Sequence, residues 1–197
     1  MFDDEPILKP KPVAMGNGKI SGGAQQWGIP NALFTATGTS ALAAGEVCYI
    51  PMLVRDHIKL TAWELEVTAA PAGAANLSVG VYRADADLQP FGAPLYDSGS
   101  VAVAGAFTGI KSATGLSIDL PFGIYLIALN SDTIMTLRSF TSGTPIVIAA
   151  LGASPFGKRF SKTVAQGAFP TPGTPWDTIS ASAGGQQNLV VWQWSLA

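Results

Sequence analysis

The sequence contains little of the chemistry on which most enzymes and metal proteins depend. Its 197 residues include one cysteine and one histidine. A single cysteine cannot form an internal disulfide or a multi-cysteine metal site. Cys48 stands among apolar neighbours, so we expect it to be a buried thiol without reactive chemistry.

Charged residues are also scarce. They make up 12% of the chain and give a formal net charge of −2, whereas soluble proteins carry about 25% charged residues. No run of lysine or arginine provides a positive field for phosphates, so nucleic acid is not an expected partner. The neutral composition suits a surface that neighbouring subunits cover, which predicts a homo-oligomer.

Long apolar runs are absent as well. No stretch approaches the roughly 18 to 20 apolar residues that cross a bilayer. Met1 and Phe2 are followed by three acidic residues, whereas a secretion signal begins with a basic region and an apolar stretch. The sequence therefore predicts neither membrane insertion nor ordinary export.

Residues 1–44 are rich in proline and glycine and keep neither a helical nor a strand period. Such a segment buries too little apolar surface to offset its ordering entropy, so alone it should be extended. Large apolar side chains are spaced along it like anchors, which predicts an attachment arm; a flexible leader is the alternative. The candidate attachment residues are Phe2, Ile7, Leu8, Trp27 and Phe34.

Residues 45–197 contain short strand-like runs separated by turn residues, a pattern typical of an antiparallel sandwich or barrel. The predicted fold class is all-β: a jelly-roll-like β-sandwich preceded by the extended arm. The predicted strands are Glu46–Leu53, Ile58–Thr68, Asn76–Arg83, Leu95–Val103, Thr114–Leu120, Ile124–Asn130, Thr133–Arg138, Pro145–Leu151 and Asn188–Leu196. A domain of this length can bury roughly 68 to 70% of its unfolded surface, so it needs no metal or disulfide to fold.

Local patterns refine this prediction. Leu77, Val79 and Val81 alternate with smaller or polar residues, which predicts a strand with one buried face. Between residues 58 and 67 the apolar phase shifts near Trp63, which requires a β-bulge or a change of sheet. The turn at 121–123 predicts a central hairpin between the strands on either side.

Five short pieces follow one another in a specific order between Tyr49 and Asn130. They are Tyr49-Ile50-Pro51, Trp63–Thr68, Gly80–Asp87, Leu95–Gly99 and Ile118–Tyr125. This order resembles the carboxy-terminal β-sandwich modules of tailed-bacteriophage fibre, head-spike and other virion proteins, whose relatives also occur in gene transfer agents. The resemblance covers about 80 residues and consists largely of strands and turns.

The resemblance implies a jelly roll, commonly trimeric, that an amino-terminal segment attaches to other virion proteins of a capsid or tail. Some such modules bind host surface polysaccharide, and no catalytic residue is carried over. Because the chain is short and lacks a heptad or β-helical shaft, a head spike, capsid decoration or small tail-tip subunit on the particle surface fits better than a long fibre.

The sequence assigns no catalysis, cofactor or metal. His57 has no nucleophile elbow to serve, so we interpret it as a histidine at the start of a strand. Glu64 and Glu66 share a strand face, which we expect to be solvated rather than a glycosidase pair. A calcium site at Asp85 and Asp87 would lack the glycine and distal glutamate of an EF-hand, so an ordinary polar loop is the preferred interpretation.

Sugar binding is better supported than catalysis. Trp176 lies in a proline-stiffened loop, where an exposed indole can stack on a sugar ring. Asp177 would accept hydrogen bonds from sugar hydroxyls, and Arg159 would favour an acidic polysaccharide. Alternatively, Trp176 fills a subunit interface. Trp192 and Trp194 are predicted to be core or trimer contacts.

The predicted function is a virion spike, fibre or decoration subunit that contributes to adhesion on host polysaccharide. The alternative is a carbohydrate-binding module without catalysis. A small hydrolase is disfavoured by the scarcity of histidine, cysteine and paired acids.

Overall fold

The computed structural model describes residues 26–28, 36–54, 56–141, 158–164, 169, 178–181, 186–188 and 190–196. Within these ranges the chain forms strands and no helix, so no described helix could span a membrane. The strands make two antiparallel sheets, which confirms the predicted all-β sandwich.

Sheet A has β4 at its centre. Its strands are β1 (Gln26–Gly28), β2 (Ala36–Leu42), β4 (Ile58–Ala69), β8 (Gly109–Leu120), β10 (Met135–Thr141), β13 (Gln186–Asn188) and β14 (Val191–Leu196). One edge of β4 pairs with β8 and the other with β14 and β10. β10 pairs in turn with β2 and β13.

Sheet B has β9 between β3 and β5. Its strands are β3 (Glu46–Val54), β5 (Ala75–Ala84), β6 (Pro90–Asp97), β7 (Val101–Val103), β9 (Gly123–Ser131), β11 (Lys158–Thr163) and β12 (Thr178–Ala181). β11 and β12 extend the sheet beyond β3, and β6 and β7 pair with β5. Several connections cross between the sheets, as in a jelly roll.

The main core lies between the two sheets, because alternate residues of each strand point inward. Trp63 and Leu60 of sheet A and Leu129 of sheet B are fully buried there. Trp63 Nε1 donates a hydrogen bond to the hydroxyl of Tyr96 at 2.9 Å, and the Tyr96 ring packs edge-on against Trp192. Burying one large apolar side chain stabilises the fold by about 1.5–3 kcal/mol.

The phase shift in β4 is a β-bulge, as predicted, and not a change of sheet. The pairing with β8 passes from Leu60 opposite Ile118 to Ala62 opposite Thr114. The strand therefore stays in sheet A while the inward-facing set changes phase, and Ala62 and Trp63 are both buried. Gly115, with φ of +73°, adopts the left-handed conformation that the extra residues of β8 require.

Two local predictions are wrong. β5 is buried on both faces, since Ser78 and Tyr82 are as buried as Val79. The turn at 121–123 is not a hairpin, because it joins β8 of sheet A to β9 of sheet B. Which strands pair depends on contacts distant in sequence, which the local pattern does not show. Both faces of β9 are apolar because both are buried: Ile127 and Leu129 pack in the main core, and Leu126 and Ala128 pack in a second buried cluster on the outer face of sheet B.

The predicted arm contains two strands of the sandwich. β1 pairs with β14, and β2 pairs with β10 along seven consecutive residues. Leu42 at the end of β2 is fully buried in the main core. Residues 36–42 are therefore part of sheet A, and the predicted boundary at residue 44 falls after a strand that the fold uses.

Other strand bounds differ modestly from the prediction. The segment predicted as Leu95–Val103 divides into the end of β6 and the short β7. β11 and β12 were not predicted, and Pro145–Leu151 lies outside the described residues.

Candidate functional site

Three connections meet at one end of the sandwich, which we call the loop end; their described residues are 56–57, 121–122 and 85–89. They leave or enter β3, β9 and β5, which are adjacent in sheet B. Val54 lies opposite Gly123, and Arg83 lies opposite Tyr125. The connection at 121–122 therefore lies between the other two.

Phe122 projects from this middle connection and is 74% exposed. A side-chain hydrogen bond stabilises the turn that contains Phe122: the hydroxyl of Tyr125 donates to the carbonyl of Pro121 at 2.9 Å. Burial raises the pKa of Tyr125, against a smaller opposing effect of Arg83, so the phenol remains a donor at neutral pH. Pro121 further restricts the backbone. The ring is thus presented to solvent on a constrained turn.

His57 and Asp119 lie beside this turn. Ile58 pairs with Leu120, which brings the connection after β3 alongside the one after β8. His57 Nε2 is 4.0 Å from Asp119 Oδ1, and both side chains are exposed. At this separation the contact is weak and exposed to solvent, which leaves both groups accessible to a ligand.

On the other side, the 85–89 connection is a tight turn organised by Asp85. Its Oδ1 accepts hydrogen bonds from the backbone N–H of Asp87 at 2.9 Å and of Gln89 at 2.8 Å. Leu88 has φ of +61°, a conformation that is unfavourable for a leucine. Of the residues the structure describes, no three histidine, cysteine, aspartate or glutamate side chains are grouped to hold a metal ion.

Carboxylates outnumber basic side chains among the described residues of the loop end. Its connections and adjoining strands contain four acidic and two basic residues: Asp56, Asp85, Asp87 and Asp119, with Lys59 and Arg83. This surface can both accept and donate hydrogen bonds. It was not predicted as a site, although the exposed aromatic turn Pro121-Phe122-Gly123 is visible in the sequence.

The predicted sugar-binding residues are only partly described. Trp176 and Asp177 lie outside the described residues. Arg159 lies in β11 opposite Ser180 of β12, and Thr178 lies opposite Ser161. The pairing brings the residue after Asp177 to within two strand positions of Arg159, so that site stays a prediction.

The predicted attachment residues are also mostly outside the description. Phe2, Ile7, Leu8 and Phe34 are outside it, and Trp27 lies in β1 opposite Gln193. Attachment therefore stays a prediction.

Predictions for several other residues are confirmed. Cys48 is buried in the main core, and so is Trp192. Glu66 is on the outer face of sheet A and pairs with Arg138, which donates from Nε at 2.9 Å and from Nη2 at 2.8 Å. These hydrogen bonds lower the pKa of Glu66. Glu66 is thus engaged in a surface ion pair.

A second buried cluster, unforeseen in the sequence, covers the outer face of sheet B. We call it the outer cluster; its members are Val47, Tyr49, Tyr82, Leu126, Ala128 and Phe169. Burial first, then the neighbouring Tyr49 and Asp97, raise the pKa of Tyr82. In the sequence, the outer cluster is indicated by Tyr82, a large aromatic residue on the face of β5 that was predicted to be exposed.

Phe169 is held on this face by polar groups. Its backbone N–H donates to Asp97 Oδ2 at 3.0 Å, and Asn130 Nδ2 donates to the carbonyl of Val164 at 3.2 Å. Gly80 provides the space for the ring, since a Cβ there would lie 2.7 Å from Phe169 Cε2. The cluster is therefore a closed packing unit and not an open site.

Comparison with known proteins assigns the chain to no family. No protein-family model matches the chain, and no curated protein matches it. Among solved structures it is similar to the clostridial cysteine protease Cwp84 after propeptide cleavage, with a TM-score of 0.48 and 12% identity. The match covers 82% of this chain and 40% of that chain. A likeness this weak supports no conclusion about activity.

Proposed function

We propose that the protein is a virion structural subunit, a capsid- or tail-attached spike, fibre or decoration protein of a tailed phage or gene transfer agent. The observation that carries the proposal is the position of one segment in the fold. The segment Tyr49–Asn130, which resembles phage virion modules, corresponds to β3–β9 of the two-sheet sandwich. Its role is binding and assembly, without catalysis, at the particle surface.

Attachment and oligomerisation follow from the same proposal. The amino-terminal arm joins other virion proteins, and the weakly charged surface packs in a homo-oligomer, which we propose to be a trimer. Because β1 and β2 belong to sheet A, deletion of residues 1–25 tests attachment without removing described strands. We expect that variant to keep its fold and its self-association while it no longer joins particles.

Particles provide the direct test. Antibodies raised against the purified protein should label gradient-purified phage or transfer-agent particles from the source strain in electron micrographs. Particles that lack the protein by both labelling and mass spectrometry would contradict the virion role.

A carbohydrate-binding module without catalysis is the second candidate, and the exposed Phe122 on its constrained turn favours it. Light scattering of the purified protein at several concentrations separates the two. A stable trimer favours the spike or fibre, whereas a monomer that is absent from particles favours the free-standing module.

A further inference from the structure

We propose that copies of this chain associate through one side of the sandwich, which we call the flank: residues 90–118, with β6, β7, β8 and the connections between them. The inference deepens the proposed homo-oligomer by identifying its interface, and it rests on the proposed function for the trimeric state. The low charge of the whole chain does not point to any one surface. In the flank, free strand edges, exposed apolar side chains and a lack of charge occur together.

The first step is that the flank brings together an edge of each sheet. β6 and β7 pair with β5 at the edge of sheet B, and β8 pairs with β4 at the edge of sheet A. The short connection 104–108 leads directly from β7 to β8. Trp63 of β4 donates a hydrogen bond to Tyr96 of β6, so the two edges lie on the same side of the sandwich. Among the described strands, none pairs with the outer edge of β6 or of β8.

The second step concerns the apolar side chains of these edges. Five large apolar side chains are exposed among the described residues, and three of them belong to the flank: Phe91 and Leu95 on β6, and Ile110 on β8. Between the two edges, Phe107 and Leu116 are only partly buried against the main core. Association through the flank would remove these groups from water, which is the main driving force of protein association.

The third step concerns charge. The flank contains one acidic and one basic residue, Asp97 and Lys111, whereas about a quarter of the residues of a soluble protein are charged. Asp97 accepts hydrogen bonds from the backbone N–H groups of Gly99 and Phe169. The ammonium group of Lys111 lies 4.3 Å from the centroid of the Phe107 ring, in a cation–π contact. Water-exposed edge strands are usually protected by charged side chains, and this flank has no charge that is not already engaged within the molecule.

These properties identify the partner as another copy of this chain. Because both charges of the flank are engaged, a charged partner gains no new ion pair there, and its own charges would lose water without compensation. The partner must present an equally uncharged, apolar strand edge, and the flank of a second copy is such a surface. Charged residues are depleted at the centre of oligomer interfaces, and homo-oligomers mostly have closed symmetry. In the proposed trimer, three flanks face the common axis.

The test measures association of the full-length protein by sedimentation velocity at concentrations up to about 100 μM. The parent protein should form an oligomer. Ile110→Lys places a charge on the β8 edge, so it should raise the dissociation constant about ten-fold or more. Ile134→Lys is the matched control, since Ile134 is 63% exposed against 60% for Ile110 and lies outside the flank, between β9 and β10. This control should associate like the parent protein.

A second matched pair tests the β6 edge. Phe91→Lys, in β6, should also weaken association about ten-fold or more. Phe122→Lys replaces another exposed phenylalanine with the same charge outside the flank, so it should associate like the parent protein. Because all four substituted side chains are exposed, each variant should keep the circular-dichroism spectrum of the parent protein.

Three outcomes would overturn the proposal: a parent protein that is monomeric over the whole concentration range, association of Ile110→Lys or Phe91→Lys as strong as that of the parent, or an equal loss of association in either control. This failure is distinguishable from failure of the proposed function. A monomeric protein found on labelled particles would contradict the interface and retain the virion role. An oligomer that Ile110→Lys dissociates, from a protein absent from particles, would contradict the virion role and retain the interface.

Discussion

The inner and outer faces of β5 are both buried, yet they are built in different ways. On the inner face, Leu77, Val79 and Val81 pack into the core between the sheets. On the outer face, Tyr82 packs against Phe169, which comes from a part of the chain far from β5. The inner face depends on strand periodicity, and the outer face depends on a distant segment held by polar groups.

The inner core and the outer cluster should therefore contribute differently to the stability of the protein. The inner core has many mutually supporting apolar contacts, so its loss should unfold the molecule as a whole. The outer cluster is smaller and is closed by the hydrogen bonds of Asp97 and Asn130. Its loss should free the covering segment and leave the sandwich folded.

The largest expected effect is that of Trp63→Ala in the inner core. The substitution removes a fully buried indole and its hydrogen bond to Tyr96. A cavity of this kind costs about 3–5 kcal/mol, which denaturant unfolding measures. Ser117→Ala, an exposed change on β8, is the control and should stay within about 0.5 kcal/mol of the parent protein. A loss under about 1 kcal/mol for Trp63→Ala would mean that the two sheets are not packed as described.

The next largest losses of stability are expected for substitutions in the outer cluster. Gly80→Ala forces a methyl group against the Phe169 ring, so it should destabilise the protein by about 1–3 kcal/mol. Phe169→Ala alone should cost about 2–4 kcal/mol, less than Trp63→Ala.

A double-mutant cycle checks the contact. In the Phe169→Ala background, most of the cost of Gly80→Ala should disappear, because the clashing ring is gone. Gly73→Ala is the matched control, since a Cβ there meets nothing within 4 Å. Additive costs at positions 80 and 169 would contradict the packing of Phe169 on this face.

The contrast between the inner and outer faces of β5 also explains which features could be predicted from the sequence. Period-two alternation and turn residues located most strands of the region from 46 to 141, and the phase shift located the bulge near Trp63. These features are local, so they are visible without the fold. The covering of Tyr82 by Phe169 is not local, and no pattern in β5 specifies its partner.

The candidate site, too, depends on contacts that are distant in sequence. The turn containing Phe122 was visible, but it was interpreted as the tip of a hairpin. Its position between His57 and Asp85 depends on the order of β3, β9 and β5 in sheet B, which pairings distant in sequence determine. The sequence analysis assigned sugar binding to Trp176, Asp177 and Arg159, and it did not predict that Phe122 lies between His57 and Asp85.

A smaller effect concerns alkaline pH. Burial raises the pKa of Tyr82 above its usual value, which is near 10. The folded protein then holds the phenolic proton more tightly than the unfolded chain, so stability is fully present below about pH 10 and is lost as pH rises further. Tyr96 and Tyr125 contribute in the same direction. Tyr82→Phe should flatten the fall in melting temperature above pH 10, and an unchanged slope would mean that the outer cluster admits water.

The smallest expected effect is that of the exposed ion pair between Glu66 and Arg138. Its hydrogen bonds lower the pKa of Glu66, so the stabilisation is present above the unfolded pKa, near 4.3, and is lost as pH falls through the folded pKa. Because both groups are partly exposed, Glu66→Gln should cost under about 1 kcal/mol at neutral pH, and less in high salt. Glu64→Gln is the neighbouring control without that ion pair. A cost at position 66 comparable to that of Phe169→Ala would show that the outer face of sheet A, like that of sheet B, is covered in the assembled protein.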